Sequence, residues 1–304
     1  MNTIAPKTTR ALTIAIIGTG SIGSAFAYHL ARAGHEVTAV ARPGSTRLQQ
    51  LQRDHGLVDK NGAHVALTVV DQLNPEVPYD LVLVTTLAHQ VDAVLPALQA
   101  GKARCVQFMF NTFAPERLQA ALGADRVSFG MPFAMAHLDA DGILTSTVSP
   151  ARKTLHGDQR WVDLFNAAGI PSAFEPDMLL WLRCHTPMCI AMEAISFAAV
   201  RRGGGASWGE AMIVARGTRA GFAVLKGLGH RLHPPPKVMI DALPTPLIAM
   251  MLWCISRVAG FRDLLATGVN ECRALVDAVV AAGQGVDPPM PTAVRAVAAM
   301  RPTP

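Results

Sequence analysis

The sequence predicts an α/β protein of two domains: a doubly wound parallel sheet with flanking helices over residues 1–175, then an all-helical domain over residues 176–304. Strand-like and helix-like segments alternate in the first half, as they do in βαβ units. The second half contains helical segments only, and a glycine-rich turn joins the first strand to the first helix. Half of the 304 residues are hydrophobic, which is enough to fill two cores.

The elements of the first domain follow from local patterns. Short runs rich in β-branched and other apolar residues predict strands at residues 11–17, 36–41, 65–70, 81–85, 104–110 and 126–129. The helices predicted between them cover residues 24–32, 46–55, 90–99 and 115–122. Gly34 ends the first helix, as a C-terminal glycine should. The segment from Asp139 to Gly142 lies between apolar residues and predicts a hairpin turn.

A loop with two prolines, Pro171 and Pro176, precedes the second domain. The helices predicted after it cover residues 178–200, 208–228, 246–258, 263–282 and 292–300. Several of them are apolar almost all round, which is typical of core helices or of an interface between subunits. We therefore expect this helical domain to form a homodimer.

Composition narrows the functional classes. The net charge of +5 comes from scattered Lys and Arg, whereas nucleic-acid binders concentrate these residues on one stripe. This balance fits a small anionic ligand, and we expect neither a nucleic-acid nor a membrane partner, since no apolar run reaches the roughly 18 residues of a membrane span. The five cysteines are dispersed without a C-x-x-C pair, and the N-terminus lacks the apolar core of a signal peptide. We expect a cytoplasmic protein.

The motif Gly18-Thr19-Gly20-Ser21-Ile22-Gly23 is the strongest functional signal. In such a motif the first glycine makes a tight turn, the second admits a pyrophosphate, and the third lets helix and strand pack closely. Free amides and the helix dipole then favour the phosphates. Because the motif follows a strand and opens a helix, it predicts a Rossmann-type dinucleotide site. The alternative is a glycine-rich turn without a ligand.

The end of the second strand distinguishes between two cofactors. NAD sites place an acidic residue about 20 residues after the motif, whereas NADP sites place an arginine near the 2′-phosphate. Glu36 stands at the wrong end of this strand, and Arg42 stands at the right one, with Arg47 as a second candidate cation. We therefore predict NADP rather than NAD. The alternative for Arg42 is a solvated surface charge.

Several further motifs support a family resemblance: the Val-x-x-Val-x-Arg strand ending at Arg42, Asp80 to Val84, Phe110 to Thr112, Trp181-x-Arg183, Gly268 to Glu271, and Gly285 to Pro289. With the glycine motif, they make the chain similar to the ketopantoate reductase (2-dehydropantoate 2-reductase) family over nearly its whole length. The resemblance implies an NADP-dependent oxidoreductase that reduces a small, 2-keto acid-like carbonyl compound.

The resemblance also implies roles for individual residues. Arg183 corresponds to the family's catalytic lysine, and Glu271 to a carboxylate near the substrate hydroxyls. Asn111 corresponds to an asparagine of the family, and we expect it to contact both the substrate and the cofactor. We expect the substrate between the domains, near these three side chains, and we expect no metal, because the pair His230-x-x-His233 lacks a third ligand.

The chain departs from the family pattern at several positions. Pro187 and Ala191 replace two asparagines that bind substrate, Leu87 replaces a lysine that contacts the cofactor, and Ala259 replaces a serine, with Ser256 one helical turn away. Positions 183, 187 and 191 share one helical face, so we expect this side of the cleft to have lost polar groups. A substrate less polar than ketopantoate would fit such a cleft.

The replacement of lysine by Arg183 bears on the chemistry. Arginine stays charged at any accessible pH, so it can polarise a carbonyl or bind a carboxylate but is a poor acid. The proton must then come from water or another side chain; His185 projects about 200° around the helix. Arg183 as a salt-bridged structural residue is the alternative. Two other functions stay open: a non-catalytic NADP(H)-binding sensor of the same fold, and a 3-hydroxyacid dehydrogenase-like enzyme.

Overall fold

The computed structural model describes residues 10–265 and 268–302. Residues 1–9, from which we predicted that the N-terminus is not a signal peptide, lie outside this range. The strands are β1 (Thr13–Ile17), β2 (Glu36–Val40), β3 (Gly56–Val58), β4 (His64–Ala66), β5 (Thr68–Val70), β6 (Leu81–Val84), β7 (Val106–Phe108), β8 (Val127–Met131), β9 (Met135–Leu138), β10 (Leu144–Thr147), β11 (Thr154–His156) and β12 (Ser172–Phe174).

The helices alternate with the strands and then follow one another. They are α1 (Ser21–Arg32), α2 (Thr46–Arg53), α3 (Leu95–Ala100), α4 (Glu116–Leu122), α5 (Gln159–Ala167), α6 (Met178–Arg201), α7 (Trp208–Gly227), α8 (Pro235–Ala242), α9 (Thr245–Ile255), α10 (Ala259–Leu265), α11 (Val269–Gln284) and α12 (Pro291–Ala298). Two short 3₁₀ helices cover Ala88–Ala93 and Ala124–Arg126.

The chain divides into two compact units. The first takes in the chain up to Thr86, then Asp92–Phe110 and Leu118–Pro176. The second takes in Leu87–Val91, Asn111–Arg117 and the chain from Asp177 onward. Two short segments of the first half therefore belong to the second unit.

The first unit contains an eight-stranded sheet of order β12-β11-β8-β7-β6-β1-β2-β5. The strands from β8 to β5 are parallel, and β11 joins β8 antiparallel. From β1 the chain builds β2 and β5 on one side and then β6, β7 and β8 on the other. The order reverses between β1 and β6, and ligands of doubly wound sheets bind at such a switch point. The predicted fold class is confirmed.

Local signals of the first unit are confirmed where turn chemistry decides them. Gly34, just beyond α1, has φ +89. The strands β9 and β10 pair antiparallel around the predicted turn, and Gly142 within it has φ +86. Side chains of α1, β1, β2 and β6 fill the core; Ile14, Ile16 and Phe26 are fully buried.

Three predicted elements need correction. Residues 65–70 form β4 and β5 rather than one strand, because the amide of Leu67 between them bonds the carbonyl of His55. Residues 90–99 are split into a 3₁₀ turn and α3, since Pro96 lacks an amide donor. The helix predicted over 263–282 is two helices, with Gly268 at the N-cap of α11 and residues 266–267 outside the described range. The helix α8 was not predicted; its first turn contains prolines, which are tolerated at that position.

The second unit is helical throughout its longer part, and α6, α7, α9, α11 and α12 surround its core. Ile190, Ile195, Phe222 and Val276 are fully buried there. Among the described residues, no single helix is long and apolar enough to cross a membrane; α8 and α9 meet that criterion only as a pair, bent by 111°.

Candidate active site

The glycine loop lies at the switch point of the sheet. Gly18 has φ +96, and a Cβ added there would lie 2.8 Å from the amide nitrogen of Thr86. A Cβ on Gly23 would lie 2.2 Å from the carbonyl oxygen of Gly18. Around Gly20, in contrast, nothing lies within 4 Å of an added Cβ. Two glycines therefore allow close packing, and the middle one leaves room for a ligand to approach the backbone.

The start of α1 presents unused donors beside this open space. In the described chain, the amides of Ser21 and Ile22 donate to no protein acceptor, and the first turn of α1 has no acidic residue. The hydroxyl of Thr85 donates to the carbonyl of Gly18 at 2.7 Å and fixes the opposite side of the loop. The donor set and the open cradle fit the pyrophosphate of a dinucleotide.

The two arginines that follow β2 differ in their surroundings. Arg42 is exposed directly after the strand, and no carboxylate of the described residues pairs with its guanidinium. Arg47 is half-buried, and its guanidinium donates to the carbonyl of Thr19 at 3.0 Å and to the hydroxyl of Ser24 at 2.9 Å. Burial lowers the pKa of Arg47 to about 10. Arg42 is thus available to an anion, whereas Arg47 is engaged with the loop itself.

Arg183 and Asn111 lie in the second unit. Arg183, on α6, forms an ion pair with Glu116 at the start of α4, and its side chain is 14% exposed. The hydroxyl of Thr186 donates to Oδ1 of Asn111 at 3.4 Å. The Nδ2 of Asn111 is buried and has no partner among the described residues. The structure therefore brings a cation and an unused amide donor to the same part of α6.

The substituted positions on α6 are packed rather than open. Pro187 is buried against α7, where a Cβ on Gly221 would lie 3.0 Å from its ring. Ala191 is 3% exposed and belongs to the helical core. The expectation that positions 187 and 191 line a less polar substrate cleft is wrong for Pro187, because its ring fills the contact with α7.

Two other positions weighed for catalysis have structural partners. The ring of His185 lies 4.4 Å from that of Trp181, and burial, together with the charge of Lys237, lowers the pKa of His185 to about 3. Ser256 accepts a hydrogen bond from the amide of Ala206 at 3.1 Å. His185 therefore stacks on its own helix, whereas Ser256 joins the end of α9 to the segment before α7.

Glu271 is one of two neighbouring carboxyl groups. It lies at the start of α11, and both it and Glu193 of α6 approach Gly268, at 3.6 and 4.0 Å from an added Cβ. Burial raises the pKa of Glu271 to about 7; burial and the charge of Glu271 raise that of Glu193 to about 8. The Oε2 of Glu193 is buried without a partner in the described chain. The pair therefore retains a proton at neutral pH.

Sequence reasoning missed Glu116 and Glu193. Glu193 is the only acidic residue of α6, and a lone carboxylate within an apolar helix is a signal for a special environment. Glu116 carries no such signal, because its partner Arg183 lies far away in the chain and only the fold brings them together.

The sheet with its glycine loop, followed by the helical unit, defines a ketopantoate reductase-like oxidoreductase fold. Residues 14–155 match the model of the ketopantoate reductase PanE/ApbA family, which confirms the resemblance shown by the motifs. No curated protein matches the chain in sequence.

Solved structures match the chain over almost its full length at low identity. A D-mandelate dehydrogenase with NADH has a TM-score of 0.72 and 16% identity, covering 95% of this chain and 97% of that chain. A PanE/ApbA family ketopantoate reductase from Ralstonia eutropha JMP134 has a TM-score of 0.71 and 19% identity, with the same coverage of 95% and 97%. A probable 2-dehydropantoate 2-reductase from Bacillus subtilis has a TM-score of 0.63 and 19% identity, covering 95% and 100%. These likenesses show the fold.

Proposed function

We propose that the protein is an NADPH-dependent oxidoreductase that reduces a small carbonyl compound of the 2-keto acid class. The observation that carries the proposal is the glycine loop at the switch point, with room beside Gly20. Among the described residues, the amides of Ser21 and Ile22 have no acceptor, and Arg42 after the neighbouring strand has no carboxylate partner. Similar solved proteins named as ketopantoate reductases and as a D-mandelate dehydrogenase with NADH support the class of reaction.

Gly18, Thr19, Gly20, Ser21, Ile22 and Gly23 form the loop that binds the pyrophosphate in this proposal. Arg42 binds the 2′-phosphate, because a guanidinium matches a phosphate with two parallel hydrogen bonds. Asn111 offers its unused Nδ2 to the cofactor or to the substrate oxygen. When bound, NADPH supplies the hydride.

The remaining groups handle the substrate. Arg183 polarises the carbonyl or binds the carboxylate of a 2-keto acid, and its permanent charge makes it a poor proton donor. Glu271 suits the role of acid better, since burial raises the pKa of its carboxyl group to about 7, so that a protonated carboxyl is available near neutral pH. Proton transfer from Glu271 to the developing alkoxide completes the reduction.

One observation favours a second candidate, a non-catalytic NADP(H)-binding sensor. Arg183 is already neutralised by Glu116, and an arginine held in a salt bridge contributes little to polarising a carbonyl. An Arg183→Lys variant separates the two functions. In a working reductase the change harms turnover, whereas in a decayed reductase it restores some.

NADPH consumption by the purified protein tests the proposal. The substrates are ketopantoate and the 2-oxo acid formed by oxidising mandelate, because a similar solved structure contains NADH and anilino(oxo)acetate. Turnover of either compound supports the reductase. Tight NADPH binding without turnover of any carbonyl compound contradicts it and favours the sensor.

The predicted homodimer and cytoplasmic location belong to the same proposal. Exposed apolar side chains of the second unit support association between copies, among them Trp208, Met239, Met250 and Met251. Light scattering of the purified protein measures the mass in solution and decides between a monomer and a dimer.

A further inference from the structure

Three side chains on one face of α2 hold the tip of the β9–β10 hairpin. They donate to three successive carbonyls: Arg47 to Gly142 at 3.3 Å, Gln50 to Ala140 at 2.9 Å and Arg53 to Asp141 at 2.9 Å. Residues three apart on a helix share a face, so the contacts form one continuous row. The hairpin tip is therefore bonded to α2 from the first turn of the helix to its last residue.

Arg47 alone extends this row to the glycine loop. Its Nε donates to the carbonyl of Thr19, and its Nη2 donates to the hydroxyl of Ser24. That hydroxyl donates in turn to the carbonyl of Thr19 at 3.0 Å. Thr19 and Ser24 are 4% and 0% exposed, so these bonds are shielded from water. One guanidinium thus joins the hairpin tip to both ends of the loop.

The hairpin is shaped to accept this guanidinium. Gly142 has φ +86, and a Cβ added there would lie 2.7 Å from Nη1 of Arg47 and 2.7 Å from the amide of Gln50. A side chain at position 142 would therefore push Arg47 away from its acceptors.

We propose that Arg47 is a positioning residue for the glycine loop, holding it in the conformation that binds the pyrophosphate without itself contacting the 2′-phosphate. This inference rests on the proposed dinucleotide site. Four hydrogen bonds, to Thr19, Ser24, Gln50 and Gly142, use most of the N–H donors of the guanidinium. The neighbouring Arg42 has no such partners in the part of the chain that the structure describes, and it remains the group for the phosphate. Loss of Arg47 therefore affects the binding of both nicotinamide dinucleotides equally, whereas loss of Arg42 affects the binding of NADPH only.

The test measures dissociation constants of NADPH and NADH by fluorescence titration for wild type, Arg47→Met, Arg42→Met and Arg53→Met. The Arg47 variant binds NADPH and NADH more weakly by the same factor, about tenfold or more, because the hydrogen bonds from its charged guanidinium to the glycine loop are lost. The Arg42 variant binds NADPH more weakly and binds NADH as wild type does. Arg53→Met is the matched control, because it loses a hairpin contact but none to the glycine loop, and it binds both nucleotides as wild type does.

A second measurement needs no nucleotide. Hydrogen exchange of residues 18–24 in the free protein becomes faster in Arg47→Met and in Gly142→Ala, and is unchanged in Arg53→Met. The Gly142 variant keeps the arginine but displaces it, so it guards against a general folding defect. Loss of NADPH binding alone in Arg47→Met, or unchanged exchange and affinity, overturns the inference. Wild type that binds neither nucleotide contradicts the proposed function instead, while the exchange experiment still tests the loop contact.

Discussion

A buried histidine in the first unit gives the protein a defined sensitivity to acid. His156 is fully buried on β11, and its Nδ1 accepts a hydrogen bond from Nε2 of Gln107 at 2.9 Å. Its Nε2 lies 3.3 Å from the hydroxyl of Ser172, which itself donates to the carbonyl of Ile170. The network therefore assigns the proton to Nε2 of a neutral ring. A second proton on Nδ1 would face the N–H of the Gln107 amide, so the charged ring would lose this hydrogen bond.

The size of the stability loss at low pH follows from the shift in the pKa of His156. Burial lowers the pKa of His156 from 6.5 to about 3, against a smaller opposing attraction from Asp158. Between these two values the unfolded chain binds the proton and the folded chain does not, so stability falls as the pH falls. At about 1.36 kcal/mol per pH unit, the loss reaches about 5 kcal/mol in all and about 2 kcal/mol between pH 6.5 and 5. That is a large share of the stability of an ordinary domain.

Urea unfolding of wild type and His156→Gln between pH 7.5 and 5 checks this prediction. The variant cannot titrate at this position, so other groups cancel in the difference. It is less stable than wild type at pH 7.5, and the gap in the free energy of unfolding narrows by about 2 kcal/mol by pH 5. Parallel curves, with a constant gap between them, would mean that His156 has the same pKa in the folded and unfolded chain.

Three further predictions concern the site. Gly23→Ala destabilises the protein and weakens both nucleotides, because its Cβ would lie 2.2 Å from the Gly18 carbonyl; a thermal melt equal to wild type contradicts this. Glu193→Gln gains stability relative to wild type as the pH rises from 4.5 to about 8, because in that range the folded wild type holds a proton that the unfolded chain has lost; a difference in the free energy of unfolding that stays constant with pH contradicts this. Glu116→Gln frees the guanidinium that it pairs, and a severalfold lower KM for 2-keto acids is expected, whereas an unchanged KM argues for a purely structural arginine.

Local rules explain why the sheet and the glycine loop were predictable. The loop motif, the stop of α1 at Gly34 and the hairpin turn at Gly142 each need a glycine for a backbone reason that the sequence displays. The helix α5 was not predicted, although Asp158 caps its first turn. The helix α8, which begins at Pro235, was not predicted either, since a proline run more often ends structure than begins it.

The candidate site was less predictable because its contacts join distant parts of the chain. The pairing of Arg183 with Glu116 depends on a segment of the first half that belongs to the helical unit. The role of Arg47 depends on a hairpin about a hundred residues later, and no spacing rule connects it with Gly142. Burial of Glu193 beside Glu271 likewise arises from helix packing rather than from either local sequence.

The affinity of NADPH relative to NADH, measured for wild type and Arg42→Met, tests whether Arg42 selects NADPH. We expect wild type to bind NADPH more tightly than NADH, by about 10- to 100-fold for a guanidinium on a phosphate, and the variant to lose this preference while its affinity for NADH stays the same. A wild type that prefers NADH, or a variant that keeps its preference for NADPH, would contradict it.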